Sequence, residues 1–467
     1  MESHLNRRRI NMMLKADYLV IGAGAMGMAF ADSIIHNTQS SLIIVDKNNG
    51  PGGHWNIAYP YVRLHQPSAF YGVNSKELGS NRIDSKGYNK GLFELASKHQ
   101  IVSYYEQVMT EFLDSNRVQF LPLTEFCEDG TLRSRNGSLI NYEATKLVDA
   151  TYMNVSVPSM GPPPFQVDRK SRVIAPNDLP DELGSAQTYT IIGGGKTAFD
   201  AILFLLQFGI SPSAIQWVMP RDSWLLDRAN IQPIMESLGM SMFHQNASIA
   251  EAKDLEDLFL RLEESGSLMR LDKTITPTMY RCATVTKTEL EELRKVQKIT
   301  RGSRVTSITE NEIKLTQGSL PNSDQNLNIY CTSDGLAKRP TKAIFDSNRI
   351  TLQSVRTCQQ VFSAALIGYV ETLYEDDGEK NRLLKPVPHP DETNDWLVSN
   401  QQSGENAINW TQNEAITKWL ASNRLDPTSS MTTSRETFSE EQAIRMAEVF
   451  KKVADNGPRL RALIENS

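Results

Sequence analysis

Tyr18-Leu19-Val20-Ile21-Gly22-Ala23-Gly24-Ala25-Met26-Gly27 sets a short apolar run directly before a glycine-rich turn that opens a second apolar run. A stretch of the same design, Thr190-Ile191-Ile192-Gly193-Gly194-Gly195-Lys196-Thr197-Ala198, recurs later in the chain. In each, the first glycine (Gly22, Gly193) makes a tight strand-to-helix turn. The second (Gly24, Gly195) lets backbone N–H groups approach a pyrophosphate, and the third small residue (Gly27, Ala198) lets helix pack on strand. Glycine turns also join strands to helices in domains that bind no nucleotide, so the spacing alone is weak. Here each turn has a strand before it, a helix after it and a second strand ending in a residue suited to a ribose. The pattern predicts an α/β protein with two Rossmann-like dinucleotide-binding domains.

The residues after the two turns differ in charge. Leu42-Ile43-Ile44-Val45 ends in Asp46, followed by Lys47, near the ~20-residue spacing at which a carboxylate meets the ribose hydroxyls of an adenosine. Ile215-Gln216-Trp217-Val218-Met219 leads instead to Pro220-Arg221, and a guanidinium at that strand end suits a 2′-phosphate through paired hydrogen bonds. FAD at the first turn and NADPH at the second is the assignment this favours. Asp222, next to Arg221, leaves NADH open.

At 467 residues the chain is long enough for two or three domains with a large core. Its formal charge of −6 comes from 49 basic and 55 acidic residues without a single-sign block, so neither nucleic acid nor an anionic membrane is expected as partner. A small-molecule substrate is expected, and a homo-oligomer is left open. Cysteines 127, 282, 331 and 358 form no C-x-x-C pair, which argues against a dithiol motif or a zinc ribbon. The seven histidines include no H-E-x-x-H, so no metal is expected. The leader, 1–13, carries Arg7-Arg8-Arg9, but the apolar stretch beyond is broken by Lys15 and Asp17, unlike a signal peptide. No uncharged run of about 18 apolar residues follows, and a cytoplasmic protein is expected.

The first dinucleotide-binding domain is expected to begin over 14–160, closing on the strand Lys146-Leu147-Val148-Asp149-Ala150-Thr151, with the proline-rich segment from Pro158 to Pro164 as exit linker. The second is expected over 186–330, its first helix stopping at Gly209. Its helical insert carries capping boxes at Ser248/Glu251 and Thr288/Glu291. Ile329-Tyr330-Cys331-Thr332-Ser333-Asp334-Gly335 then returns the chain, so that 331–467 completes the first domain and adds a helical C-terminal segment. A helix is expected over 361–373, followed by an acidic loop with Glu375, Asp376, Asp377 and Glu379. A further capping box stands at Ser439/Gln442. Trp396, Trp410 and Trp419 could line a pocket or anchor this segment, and anchoring is the favoured reading.

These motifs resemble those of the flavin-containing and Baeyer–Villiger monooxygenases, a group with two dinucleotide-binding domains. Gly22, Gly24 and Gly27 with Asp46 match that group's FAD fingerprint, and Gly52-Gly53-His54-Trp55 looks like its G-G-x-W. Tyr59-Pro60-Tyr61-Val62-Arg63-Leu64-His65-Gln66-Pro67 is similar to the Y-P-x-x-R-L-x-x-P stretch beside the flavin. Gly193, Gly195 and Ala198 match the NADPH turn, and Arg221 with Trp224 the R-x-x-W. The likeness covers about 15–225. Three departures are visible. The F-x-G-x-x-x-H fingerprint is missing from Phe165–Leu183, His65 stands where the group often has asparagine, and A-T-G becomes Ala150-Thr151-Tyr152. They bear on oxygenation rather than on nucleotide binding.

The resemblance implies an FAD-dependent, NADPH-consuming oxidoreductase, a monooxygenase of a small organic molecule. The alternatives are an NADPH-flavin reductase or oxidase that makes hydrogen peroxide, and a non-catalytic dinucleotide-binding protein. Arg63, His65 and Gln66 are the candidate catalytic residues, although Arg63 can equally pair with a surface carboxylate and His65 cap a loop. Met26, Gly53, His54, Trp55 and Thr151 are expected around the FAD, and Asp334 and Gln353 near its ribityl chain or ring as the chain returns. Lys196 and Thr197 are expected at the NADPH phosphates.

Overall fold

The computed structural model describes residues 13–333, 335–429, 444 and 455–465. The leader to residue 12, Asp334 and the Ser439/Gln442 capping box lie outside the described residues.

Leu14–Ile21 ends in an apolar run that is buried on both faces, as a central parallel strand requires. It pairs in parallel with Leu42–Val45 on one side and Tyr142–Asp149 on the other, so that Ile21 lies level with both Val45 and Asp149. Val118–Leu121 extends the sheet beyond Leu42–Val45, and Arg349–Thr351 extends it beyond Tyr142–Asp149, followed by the antiparallel edge Phe345–Asp346. The chain leaves the first strand to one side and returns on the other. Between Leu14–Ile21 and Tyr142–Asp149 the strand order reverses, and ligands of open α/β sheets lie outside the carboxyl ends of the strands at such a point. The helices Ala25–Asn37 and Gln360–Leu373 pack together on this sheet. They approach closely because Gly368 lacks a side chain: a Cβ there would lie 2.8 Å from the Ser33 Cβ and 3.0 Å from the Phe30 carbonyl oxygen.

A second, all-parallel sheet runs Lys298–Arg301, Ile215–Met219, Thr188–Ile192, Asn326–Tyr330, Val173–Ile174, and its order reverses between the third and fourth of these. Its strands come from the stretch of chain between Tyr142–Asp149 and Phe345–Asp346, so the second Rossmann-like unit is inserted into the first. The helix Lys196–Gln207 ends as expected, with Gly209 at φ +84° just past the cap. Met235–Glu251 and Leu255–Glu264 form the helical insert, and Thr393–Thr411 and Glu414–Ser422 the C-terminal helices. None of the described helices is long and apolar enough to cross a membrane.

Several local expectations are corrected. Ser248 and Glu251 do not start a helix; they close Met235–Glu251, where the Ser248 hydroxyl donates back to the His244 carbonyl. The next helix is capped by Asp254, which accepts from the Asp257 N–H. The second capping box is Thr286/Glu289, two residues before the pair read from sequence, because Glu289 also reaches the buried Arg228. The acidic loop is partly helix: Asp376 caps Asp377–Leu383, placing its carboxylates at the positive end of the helix dipole. Trp396, Trp410 and Trp419 are all buried, and the Trp410 indole donates to the Leu383 carbonyl, so the tryptophans do anchor this segment.

Cys282, in Met279–Val285, forms a disulfide with Cys358, just before Gln360–Leu373, and both residues hold left-handed backbone (φ +55° and +58°). Cys127 and Cys331 are free. Cross-linking residues 76 apart in sequence removes much loop freedom from the unfolded chain. Reduction is expected to raise the titratable thiols from two to four and to lower unfolding stability by about 4 kcal/mol in denaturant titration.

Candidate functional site

At the first turn, Gly22 holds φ +101°, and a Cβ on Gly27 would run into the Gly22 carbonyl oxygen. Gly24 is the N-cap of Ala25–Asn37 and no side chain caps it, leaving the first-turn N–H groups aimed at the crevice. The neighbour facing Gly24 is Gly53, where a Cβ would lie 2.9 Å from the Gly24 Cα. The loop carrying Gly53 is pinned by the Gly52 N–H on the Ala23 carbonyl (2.8 Å) and by the Asn56 side-chain amide on the carbonyls of Gly50, Pro51 and Gly53. Asp46 sits at the end of Leu42–Val45, accepting from the Ala23 N–H (2.8 Å) and the Asn48 N–H (2.7 Å); burial raises its pKa. Lys47 is exposed, and Met26 packs into the core. Thr151 is held by Asp149, which also receives Arg349 (2.8 Å). Trp55 is buried and donates to the Tyr71 hydroxyl (2.7 Å), while burial lowers the pKa of His54 to about 4.

The second turn is built alike. Gly193 holds φ +140°, and a Cβ on Gly194 would lie 2.6 Å from the Arg221 carbonyl oxygen. Gly195, again an N-cap without a side-chain cap, has nothing within 4 Å of an added Cβ, so a cradle stands open over the start of Lys196–Gln207. Ala198 is fully buried and Thr197 partly so. Lys196 is paired with Asp200, one turn further along its own helix.

The stretch from Tyr59 to Pro67 bridges the two units. The Tyr59 hydroxyl donates to Asp200 (2.7 Å), and Tyr61 stacks on Phe204 with ring centroids 4.4 Å apart. The three candidate catalytic residues are not gathered at one point. Arg63 is exposed and donates to the Leu95 carbonyl (2.9 Å). His65 is partly buried, with a buried Nδ1 that has no hydrogen-bond partner among the described residues, and Gln66 beside it is partly buried too. Burial, with Lys196 and Arg228 nearby, brings the pKa of His65 down to about 4. Its backbone is fixed by Arg228, 1% exposed, which donates to the His65 carbonyl (2.9 Å), Asn89 (3.1 Å) and Glu289 (2.8 Å).

Arg221 has partners too: Asp391 through Nη1 (3.1 Å), and the carbonyls of Thr278 (2.8 Å) and Asp391 (3.2 Å) through Nη2. Asp222 is taken by Arg301 (3.1 Å). Gln353 spends its amide on the Lys342 backbone, accepting from the N–H (3.1 Å) and donating to the carbonyl (2.8 Å), yet still lines a cavity of about 380 Å³. This cavity lies at the carboxyl ends of Tyr142–Asp149 and Arg349–Thr351, with Tyr152 and Met153 on one wall and Arg281, Lys338 and Asp391 on another. Arg228, Asp200 and Asp391 went unnoticed in the sequence because each gains its meaning from partners far along the chain. Among the described residues no group of three or more metal-ligating side chains converges.

Two Rossmann-like units, one inserted into the other, make up the fold. The chain belongs to the same family as an uncharacterized protein of Mycobacterium tuberculosis (strain H37Rv) and one of Mycobacterium bovis, with 45% identity to each over 424 residues, 88% of this chain and 78% of each relative. No family model matches it. Among solved structures it is similar to OTEMO in complex with FAD and NADP, at 14% identity over 78% of this chain and 84% of that one, with a TM-score of 0.50. Cyclohexanone monooxygenase from Rhodococcus sp. Phi1 bound to NADP+ aligns over 79% of this chain and 86% of that one, at 14% identity and a TM-score of 0.48.

His65 takes up its proton in the unfolded chain near pH 6.5 but in the folded protein only near 4. The fold therefore loses stability as pH falls from about 6.5 to about 4, and no further below that from this group. Replacing His65 by Gln is expected to shrink that loss by about 1–3 kcal/mol in denaturant titrations at stepped pH. It will not abolish the loss, because burial also holds His54 and His389 low.

Proposed function

We propose that the chain is an FAD-dependent, NADPH-consuming oxidoreductase, a monooxygenase acting on a small organic substrate. The observation that carries this reading is the pair of uncapped helix N-termini, each beneath a glycine turn at the strand-order reversal of its own sheet. Either could take a pyrophosphate on backbone N–H groups without losing an internal hydrogen bond.

In this reading Gly22, Gly24, Gly27 and the backbone of Met26 hold the FAD pyrophosphate, while Gly53 supplies the bare face opposite. Asp46 accepts from the adenosine ribose, with Lys47 at its rim and Thr151, His54 and Trp55 forming walls. Gly193, Gly195, Thr197 and Ala198 do the same for NADPH in residues 186–330, with Arg221 on the adenosine side. Once bound, the flavin supplies hydride acceptance and the chemistry of oxygen. Lys196 and Asp200, joined to Tyr59, hold the second helix against the first unit, which fixes how the two cradles face each other. His65 is neutral at physiological pH, so its Nδ1 can exchange a hydrogen bond with a bound group without bringing a charge into a site that must exclude water. Arg228 positions it, and Gln66 flanks it. Arg63 acts at one remove, fixing the loop through Leu95. Gln353 shapes the cavity wall. A reductase or oxidase that releases hydrogen peroxide is the second reading, favoured by His65 at a position where the resembling group often has asparagine.

Anaerobic addition of NADPH to the FAD-loaded protein is expected to bleach the flavin band at near one-to-one stoichiometry; failure of both NADPH and NADH to do so rejects the reading. Peroxide released per NADPH oxidised, with and without candidate substrates, separates monooxygenase from oxidase. Because Gly195 has open space and φ −102°, Gly195→Ala should melt within a few degrees of the parent protein. It should nonetheless weaken NADPH binding roughly tenfold, about 1.4 kcal/mol by calorimetry.

A further inference from the structure

Asp391 follows Pro388-His389-Pro390 in the returning part of the chain, just ahead of Thr393–Thr411. Its carboxylate collects three cations: Arg221, Arg281 and Lys338. Two of these, Arg221 and Arg281, belong to the inserted unit. The contact with Arg221 is extensive. Nη1 donates to the carboxylate (3.1 Å), Nη2 donates to the Asp391 carbonyl (3.2 Å) and the Thr278 carbonyl (2.8 Å), and Nε reaches the Thr278 hydroxyl (3.5 Å). The fork that would bind a phosphate in paired fashion is thus largely spent on Asp391 and Thr278.

Arg221 also stands in the right place to matter. Its carbonyl oxygen would lie 2.6 Å from a Cβ on Gly194, so its backbone abuts the second turn. The neighbouring Asp222, which could have recognised an unphosphorylated ribose, is 8% exposed and paired with Arg301. Of the two residues that could tell NADPH from NADH at this strand end, one is engaged in the core and the other already carries an anion. The Asp391 segment is itself firmly placed: the Asp391 and Glu392 N–H groups both donate to Asp395 (2.9 Å each), and the Asp391 carbonyl accepts from the Tyr280 N–H (3.0 Å). The cavity of about 380 Å³ opens beside this cluster, with Arg281, Lys338 and Asp391 in its wall together with Glu392 and Asp395.

We infer that Asp391 occupies, from within the chain, the place on Arg221 that a nucleotide 2′-phosphate would take, and so sets the preference between NADPH and NADH. The inference rests on the reading of the second turn as a pyridine-nucleotide site. A 2′-phosphate must displace the Asp391 carboxylate from Arg221, whereas NADH leaves it in place. With the carboxylate charge removed, the Arg221 guanidinium meets the phosphate without that anion in its way.

The test is calorimetric titration of the full-length protein and of Asp391→Asn with NADPH and with NADH. Asparagine keeps the shape and can still accept from Arg221, but it carries no charge. The ratio of the NADH to the NADPH dissociation constant should rise about tenfold in the variant. A ratio unchanged within a factor of two overturns the inference while leaving the nucleotide site intact. Binding of neither nucleotide to the parent protein overturns the reading of the second turn, and the inference with it. A second measurement needs no variant: NADPH, and not NADH, should speed amide hydrogen exchange at Tyr280, whose N–H is bonded to the Asp391 carbonyl. Equal protection with both nucleotides contradicts the inference.

Discussion

A side chain on Gly27 would collide with the carbonyl oxygen of Gly22, and that exclusion brings the start of the helix Ala25–Asn37 hard against the end of the first strand. Held so close, the helix aims its uncapped N-terminus over the carboxyl edge of the sheet, where the strand order reverses. Asp46 and Asp149 end the flanking strands at that edge, each already fixed by hydrogen bonds from neighbouring backbone. The second unit repeats the arrangement with Gly193 and Ala198, and there the Trp217 indole donates to the Gly193 carbonyl (2.7 Å), bracing the turn from beneath. Two cradles of positive backbone potential follow from little more than small residues at the right spacing.

What relates the cradles to one another is the seam between the units, and it is largely polar. Tyr59 on Asp200, Arg228 on the His65 carbonyl and Asp391 on Arg221 and Arg281 each join a residue of the first unit to one of the second. Stacking of Tyr61 on Phe204 adds an apolar contact, and the Cys282–Cys358 disulfide a covalent one. Buried Arg228 would be costly to pull from the His65 carbonyl, because the guanidinium would lose a hydrogen bond that water does not replace there. The seam therefore fixes geometry more than it adds stability. That suits the proposed function, in which two bound nucleotides meet at a set distance.

The legible part of this molecule was local. The strands beside both turns, the stop at Gly209 and the helix expected over 361–373 could be read from period and punctuation, because the residues that specify them are neighbours in sequence. Reading failed where the deciding partner is distant. The Thr286/Glu289 box lies two residues from the pair picked out by pattern, since Glu289 answers to Arg228 across 61 residues. Arg221 reads as a free phosphate ligand until Asp391, 170 residues later, is seen on its guanidinium. The disulfide joins two cysteines that no spacing rule connects. Arg63, His65 and Gln66 are adjacent in sequence, yet the loop turns Arg63 to the surface and His65 inward.

We propose that the first turn holds FAD while the second holds a pyridine nucleotide. Reconstituting the purified protein with FAD, removing the excess and quantifying flavin released on denaturation tests it most directly. One FAD per chain, lost when Gly24 is replaced by a bulky residue and retained when Gly195 is, is the result this structure predicts. A colourless protein that takes up no FAD under any reconstitution condition would contradict it.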